Sequence, residues 1–155
     1  MRFYKEVVQK LKFLNNSGYM GKASFKKYVY IYTDGGPEKW AFVVVKDGKV
    51  IHEESGIFGL SASTSNDDTE SEGIFRAIQY AKERPDNYIL TTDSQAIIAK
   101  VNGNVANVTR NPNICGIQTL LREFKDSPLP VSFSIKWEKR LSNEFMKRAD
   151  ELCGE

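Results

Sequence analysis

Hydrophobic and polar positions follow two different periods along this chain, and the change of period separates strands from helices. The body begins with an aromatic and β-branched run at 28–34, which is typical of a buried strand. Two more strands are predicted at 40–46 and 49–58, joined by a hairpin turn at Asp47-Gly48. After them the apolar spacing becomes that of amphipathic helices, which alternate with single strands.

The second part of the body combines helices with two further strands, predicted at 87–92 and 130–137. Helices are predicted at 69–83, 94–101, 114–125 and 143–153. The resulting order is βββαβααβα, with polar loops at 59–68 and 102–113. Because strands separated by helices usually lie parallel to a neighbour, the order predicts an α/β domain with a mixed sheet flanked by helices.

Residues 1–27 differ from the body in charge. They hold seven basic groups and one acid, so of the 22 basic and 20 acidic groups of the chain, 15 and 19 remain elsewhere. Apolar spacing predicts an amphipathic helix over 2–15, followed by a linker over 17–27. This short basic extension either packs on the body, helps to hold nucleic acid, or only presents a solvated helix face.

Length and composition predict a single soluble domain. The chain has 155 residues, 41% of them hydrophobic and 27% charged, with a formal net charge of +2. No apolar run is long enough for a membrane span, and the lysine-rich start does not resemble a signal peptide. The two cysteines, Cys115 and Cys153, are expected to be reduced thiols in a cytoplasmic protein.

Two acidic residues stand where a predicted strand ends. Asp34 is the last residue of the first strand and precedes Gly35 and Gly36, where a backbone without side chains allows another molecule to come close. Asp93 comes directly after the strand at 87–92. Alone, Asp34 fits a simple turn and Asp93 a helix N-cap. If the two strands are adjacent and parallel, both acids lie at one edge of the sheet.

Two more acids fall on predicted helices. At about 100° per residue, Glu70 lies about 30° from the centre of the apolar stripe of its helix, whereas Glu72 is expected to face solvent. An acid on the inward side of a helix needs compensation, although both acids also favour a helix N-terminus. Asp150 lies near the edge of the apolar stripe of the last helix and alone would be an ordinary surface acid.

Four acids from two strand ends and two helices point to a metal site. Like charges packed at one sheet edge repel each other, and divalent cations remove that repulsion. Mg²⁺ prefers carboxylate oxygens and retained waters. Two such ions about 3.5–4 Å apart activate a water and stabilise the leaving oxygen when a phosphodiester is cleaved.

The acids and their flanking residues resemble ribonuclease H of type 1 between about Tyr28 and Leu152. The resemblance rests on four motifs in order, Tyr32–Gly36, Ser65–Glu70, Leu90–Gln95 and Arg148–Leu152. It implies a five-stranded mixed sheet with strand order 3-2-1-4-5 and a catalytic domain over 28–155. It also implies cleavage of the RNA strand of RNA–DNA hybrids with two Mg²⁺ or Mn²⁺ ions, by a protein expected to be a monomer.

The resemblance also implies roles for individual residues. The implied catalytic metal ligands are Asp34, Glu70, Asp93 and Asp150. The implied substrate contacts are Gly35, whose backbone approaches a ribose 2′-hydroxyl, and Asn66 and Gln95, which contact the hybrid in its minor groove.

The chain departs from the family in two places. Many members carry a histidine in the loop before the last helix, but the only histidine here is His52, so Lys139, Arg140 or Glu144 are candidates for its role. The basic handle that some members place after the fourth strand is also missing.

Two other functions are compatible with the sequence: a non-catalytic nucleic-acid- or partner-binding domain on the same fold, and a DNA-directed nuclease. Nucleases of the latter class usually have Asp-x-Glu on the first strand, where this chain has Asp34-Gly35-Gly36.

Overall fold

A computed structural model describes residues 27–58, 66–103 and 111–154 of the chain. Five strands form one mixed sheet in the order β3-β2-β1-β4-β5. The strands are β1 (Val29–Gly35), β2 (Lys39–Lys46), β3 (Lys49–Ile57), β4 (Asn87–Thr92) and β5 (Ser132–Trp137). β1 is antiparallel to β2 and parallel to β4, which in turn is parallel to β5. The predicted α/β class and strand order are therefore confirmed.

Helices cover both faces of the sheet. The described residues form α1 (Asn66–Lys82), α2 (Gln95–Val101), α3 (Pro112–Lys125) and α4 (Glu144–Leu152). The larger core, with Ile31 and Phe42 of the sheet fully buried, joins the sheet to α1, α2 and α3. On the other face α4 packs its Ala149 against the side of the sheet that carries Val43 and Val45. The predicted helices thus exist, three on one face and one on the other.

Two helices begin earlier than the sequence pattern predicted. α1 begins at Asn66 instead of residue 69, so Asp67 and Asp68 lie in its first turn and not in a loop, where their charge suits the helix dipole. α3 begins at Pro112 instead of residue 114. Proline is favoured in the first turn of a helix because its missing N–H would have no partner there. The prediction that the loop extends to residue 113 was therefore wrong.

The N-terminal extension lies almost entirely outside the residues that the structure describes. The predicted helix at 2–15 and all of 1–26 lie outside the described residues, so the division of the chain at residue 27 stays a prediction. Within the described residues, Cys115 and Cys153 are both free thiols. None of the described helices is long and apolar enough to cross a membrane.

Candidate active site

The parallel pairing of β1 with β4 brings the first two predicted acids together. The register pairs Tyr32 with Thr91, so Asp34 and Asp93 lie two residues further on at the same edge of the sheet. Glu70, in the second turn of α1, reaches the same place. One carboxylate oxygen of each of these three residues lies within 4.8 Å of the other two. We call Asp34, Glu70 and Asp93 the carboxylate cluster.

Asp150 joins this cluster from the opposite side of the sheet. Side chains alternate along β1, so Asp34 points to the same face as Tyr32, whose ring packs 5.4 Å from that of Phe145 in α4. This packing brings α4 close to the strand end, where Asp150 lies near enough to Asp34 to raise the pKa of its carboxyl group. The structure therefore brings Asp34, Glu70 and Asp93 into one cluster and places Asp150 of α4 beside Asp34.

A glycine allows α1 to approach β1 closely. Gly35 points to the α1 face, and a Cβ atom there would overlap the backbone nitrogen of Glu70 and lie 2.7 Å from the Thr69 carbonyl carbon. The Thr69 hydroxyl donates a hydrogen bond of 2.6 Å to the carbonyl oxygen of Gly36, which fixes the same contact. The Gly35 N–H donates to Asp34 Oδ1 at 2.9 Å. Gly35 thus sets the distance between two acids of the cluster.

We expect Gly35→Ala to lower both stability and any activity of the site. The added methyl group would collide with backbone atoms, which cannot rotate away as a flexible side chain can, so α1 and Glu70 must shift. Overpacking of this kind costs about 1–3 kcal/mol in the free energy of unfolding. Urea denaturation measures the loss. Gly48→Asn is the matched control, since Gly48 has open space around it and a positive φ of 76° that asparagine tolerates. Equal stabilities of the two variants would contradict the expectation.

The environment of the cluster favours protonated carboxyl groups. Burial, the neighbouring Asp150 carboxyl group and the charge of Asp93 raise the pKa of Asp34 to about 7. Burial and the charges of Asp93 and Asp34 raise the pKa of Glu70 to about 9. None of the three cluster acids forms an ion pair with a lysine or arginine in the described part of the chain. Without such a partner, the charge of the cluster is removed by protons or compensated by a bound cation.

The donor atoms of the cluster fit a hard divalent cation. All four acids offer carboxylate oxygens, the ligand type that Mg²⁺ and Mn²⁺ prefer. A thiol lies nearby, but burial and the charge of Asp34 raise the pKa of Cys153 to about 12, so it stays protonated and is a poor ligand. The side chains therefore fit the magnesium or manganese ions that the family resemblance implies.

Two of the three predicted substrate contacts, Gly35 and Gln95, lie next to residues of the cluster. Gly35 is partly exposed beside Glu70, and Gln95 is exposed at the first position of α2, two residues after Asp93. Ser94, not Asp93, caps α2, because its hydroxyl accepts the Ile97 N–H at 3.2 Å. The simple role of Asp93 as a helix cap is thereby excluded. Asn66 is the first residue of α1, and its side chain lies outside the described part of the structure.

Glu72, which was predicted to face solvent, lies in a contact between two helices instead. Glu72 does not face open solvent: it accepts a hydrogen bond of 2.8 Å from Asn113 and pairs with Arg76 at 2.9 Å. The reason is the early start of α3, which brings Asn113 against α1. Glu72 belongs to this contact between helices and not to the carboxylate cluster.

Of the three candidates for the missing histidine, the structure brings one to the site. Arg140 Nη2 lies 3.3 Å from Asp150 Oδ1, although the Arg140 side chain is 60% exposed. Lys139 is exposed in the turn before α4, and Glu144 is exposed in the first turn of α4. Arg140 is therefore the basic group that contacts a predicted ligand directly.

Sequence reasoning missed Trp137, the last residue of β5. Its indole N–H donates a hydrogen bond of 3.1 Å to the backbone carbonyl oxygen of Asp93. In the sheet Trp137 pairs with Thr92, the residue before that acid. A signal was available, because the carboxyl end of a parallel strand beside β4 must lie next to the predicted site.

Solved structures resemble this fold. The ribonuclease H1 of the halophilic archaeon Halobacterium salinarum is 23% identical, covering 81% of this chain and 93% of that chain, with a TM-score of 0.61. LC11 ribonuclease H1, solved in complex with an RNA/DNA hybrid, is 23% identical over 80% of this chain and 92% of that chain, with a TM-score of 0.62. An N-terminal ribonuclease H domain from Mycobacterium tuberculosis is 18% identical over 83% of this chain and 94% of that chain, with a TM-score of 0.64.

These similarities establish the fold. No protein-family model and no curated protein sequence matches the chain. The identities are all below 25%, so the comparisons show a ribonuclease H-like fold and leave the chemistry to be argued from the site.

Proposed function

We propose that this chain, which has the ribonuclease H-like fold, is a metal-dependent endoribonuclease that cleaves the RNA strand of RNA–DNA hybrids. The observation that carries the proposal is the carboxylate cluster, three acids within 4.8 Å of one another, with Asp150 beside Asp34. A group of acids this close, with no basic partner for the cluster among the described residues, is costly to keep in a fold unless cations bind there.

The four acids would hold the cations. The chemistry supplied by two bound Mg²⁺ or Mn²⁺ ions would be activation of the attacking water and stabilisation of the leaving oxygen of the phosphodiester. Asp34 and Glu70, both buried, provide a fixed base for the site, while Asp93 and Asp150 are more open to solvent. Substrate therefore approaches from the side of Asp93 and Asp150.

Three further residues would select the substrate. Gly35 has no side chain at the point where the backbone passes beside Glu70, so a ribose with its 2′-hydroxyl can come close to the cluster. Gln95 is exposed just beyond Asp93 and would reach a base edge or sugar in the minor groove of the hybrid. Asn66 is proposed to contact the hybrid in the same way. The complex of LC11 ribonuclease H1 with an RNA/DNA hybrid supports this choice of substrate class.

A substrate panel tests the proposed function. Equal amounts of end-labelled RNA–DNA hybrid, double-stranded RNA, double-stranded DNA and single-stranded RNA are incubated with the protein and Mg²⁺, Mn²⁺ or EDTA. We expect cleavage of the RNA strand of the hybrid alone, with either metal and not in EDTA. Cleavage of double-stranded DNA instead would indicate a DNA-directed nuclease. Binding of the hybrid without cleavage in either metal would indicate a non-catalytic domain.

A further inference from the structure

The segment Lys136–Leu141, which ends β5 and leads to α4, exposes hydrophobic and basic side chains, with Trp137 on one face of the strand end and Lys136 on the other. Trp137 is 45% exposed and Leu141 is 41% exposed, and both are among the few large hydrophobic residues on the described surface. Lys139 and Arg140, which lie between them, are exposed too. An exposed aromatic ring close to basic groups is a combination with which proteins hold nucleic-acid strands. We call this segment the β5–α4 surface.

Trp137 is fixed in place next to the carboxylate cluster. Its N–H bond to the Asp93 carbonyl oxygen, 3.1 Å long, orients the indole, and the sheet pairs its backbone with Thr92. Nearly half of the residue nevertheless remains exposed. A ring that is held on one edge and open elsewhere can pack against a base or sugar without losing much side-chain entropy.

The charges of the β5–α4 surface favour an anion. The segment contains three basic residues and one acid, Glu138, which accepts a hydrogen bond of 3.4 Å from Asn143. Lys136 and Lys139 are exposed, and neither forms an ion pair with any residue that the structure describes. Arg140 is bonded to Asp150 and so extends the basic surface to the edge of the site.

We propose that the β5–α4 surface is a nucleic-acid contact, in which Trp137 packs against a base or sugar and Lys136 and Lys139 neutralise backbone phosphates. That the nucleic acid is an RNA–DNA hybrid rests on the proposed function. The bonds to Asp93 and Asp150 place this surface at the open side of the carboxylate cluster, so that a strand held here passes over the cluster. The contact supplies basic groups close to the reaction centre in a chain whose sequence lacks the basic handle of related proteins.

Binding without cleavage tests the basic part of this proposal. The affinity for a fluorescein-labelled hybrid is measured by anisotropy in EDTA over a series of salt concentrations. We expect the double variant Lys136→Gln/Lys139→Gln to bind several-fold more weakly at moderate salt. The slope of log affinity against log salt should fall by about 2, because two phosphate contacts are lost. The matched control is Lys49→Gln/Lys125→Gln, since these exposed lysines lie at the hairpin and the α3 end, away from Asp34.

Tryptophan fluorescence tests the aromatic part. The chain has two tryptophans, and Trp40 is only 5% exposed, so hybrid added in EDTA should change the emission of Trp137. We expect Trp137→Phe to lose this change while Trp40 still emits. Trp137→Leu, which has no ring, should bind the hybrid about fivefold or more weakly than wild type, and Ile51→Ala, an exposed site on β3, should bind as wild type does.

The two proposals fail in different ways. Wild-type affinity and salt slope in the lysine double variant, together with wild-type affinity in Trp137→Leu, would overturn the β5–α4 surface even if the hybrid is cleaved. Wild-type protein that binds the hybrid through these residues in EDTA, yet does not cleave it with Mg²⁺ or Mn²⁺, would support the surface and overturn the proposed function. Thermal unfolding of each variant verifies that it is folded.

Discussion

Replacing Asp34 or Asp93 by asparagine is expected to abolish cleavage of an RNA–DNA hybrid without unfolding the protein. Each substitution removes one charged oxygen donor from a cluster whose members lie within 4.8 Å of one another. Changes that only touch a metal ligand indirectly commonly lower activity about 10- to 100-fold, so loss of a ligand itself should lower it by about 100-fold or more. The measurement is the initial rate on labelled hybrid with Mg²⁺ and with Mn²⁺.

The same substitutions separate catalytic loss from structural damage. Asp34 is a buried acid whose neighbours are also acids, so Asp34→Asn should unfold at a higher temperature than wild type in EDTA at neutral pH. Glu151→Gln is the matched control, because Glu151 follows Asp150 on α4 but its side chain is 61% exposed and pairs with Arg148. Full cleavage by Asp93→Asn would end the metal-dependent interpretation, and an inactive Glu151→Gln would show that the assay reports general damage.

The parts of the site that could be predicted from sequence are those fixed by local pattern. The end of an aromatic and β-branched run marks where Asp34 and Asp93 stand, because buried apolar side chains give way there to an acid followed by small residues. The helical period places Glu70 on the inward stripe, where the structure has it buried. These positions can be predicted without knowing which elements are in contact, apart from the single assumption that β1 and β4 are parallel neighbours.

The remaining parts depend on contacts between distant segments. The position of Asp150 beside Asp34 depends on how α4 packs across Tyr32, which no periodicity in α4 encodes. The contact of Trp137 with Asp93 likewise depends on β5 lying next to β4. For Glu72 the prediction was wrong. Its position on the helix alone predicts a side chain facing solvent, whereas α3 packs over it in the structure.

The carboxylate cluster also sets how the stability of the metal-free protein depends on pH. The folded state raises the pKa of Asp34 from 3.8 to about 7 and that of Glu70 from 4.5 to about 9. Between the unfolded and folded pKa values the folded state binds more protons, so the stability contribution of each group decreases with rising pH. This contribution is complete below about pH 4 and is lost progressively as the pH passes through about 7 for Asp34 and about 9 for Glu70.

Divalent cations are therefore expected to raise the melting temperature more at alkaline than at acidic pH. Binding requires deprotonated carboxylates and releases protons, so cations offset the repulsion where it is strongest. The melting temperatures of wild type and Asp34→Asn are measured between about pH 5 and about pH 9, in EDTA and in Mg²⁺. Because ordinary surface titrations are common to both proteins, their difference reports Asp34 together with the effect of its charge on Glu70. In EDTA the advantage of Asp34→Asn should grow with pH, whereas Mg²⁺ should shrink it by stabilising wild type alone. A difference that does not change with pH, or an equal effect of Mg²⁺ on both proteins, would show that Asp34 neither carries this charge nor binds the ion.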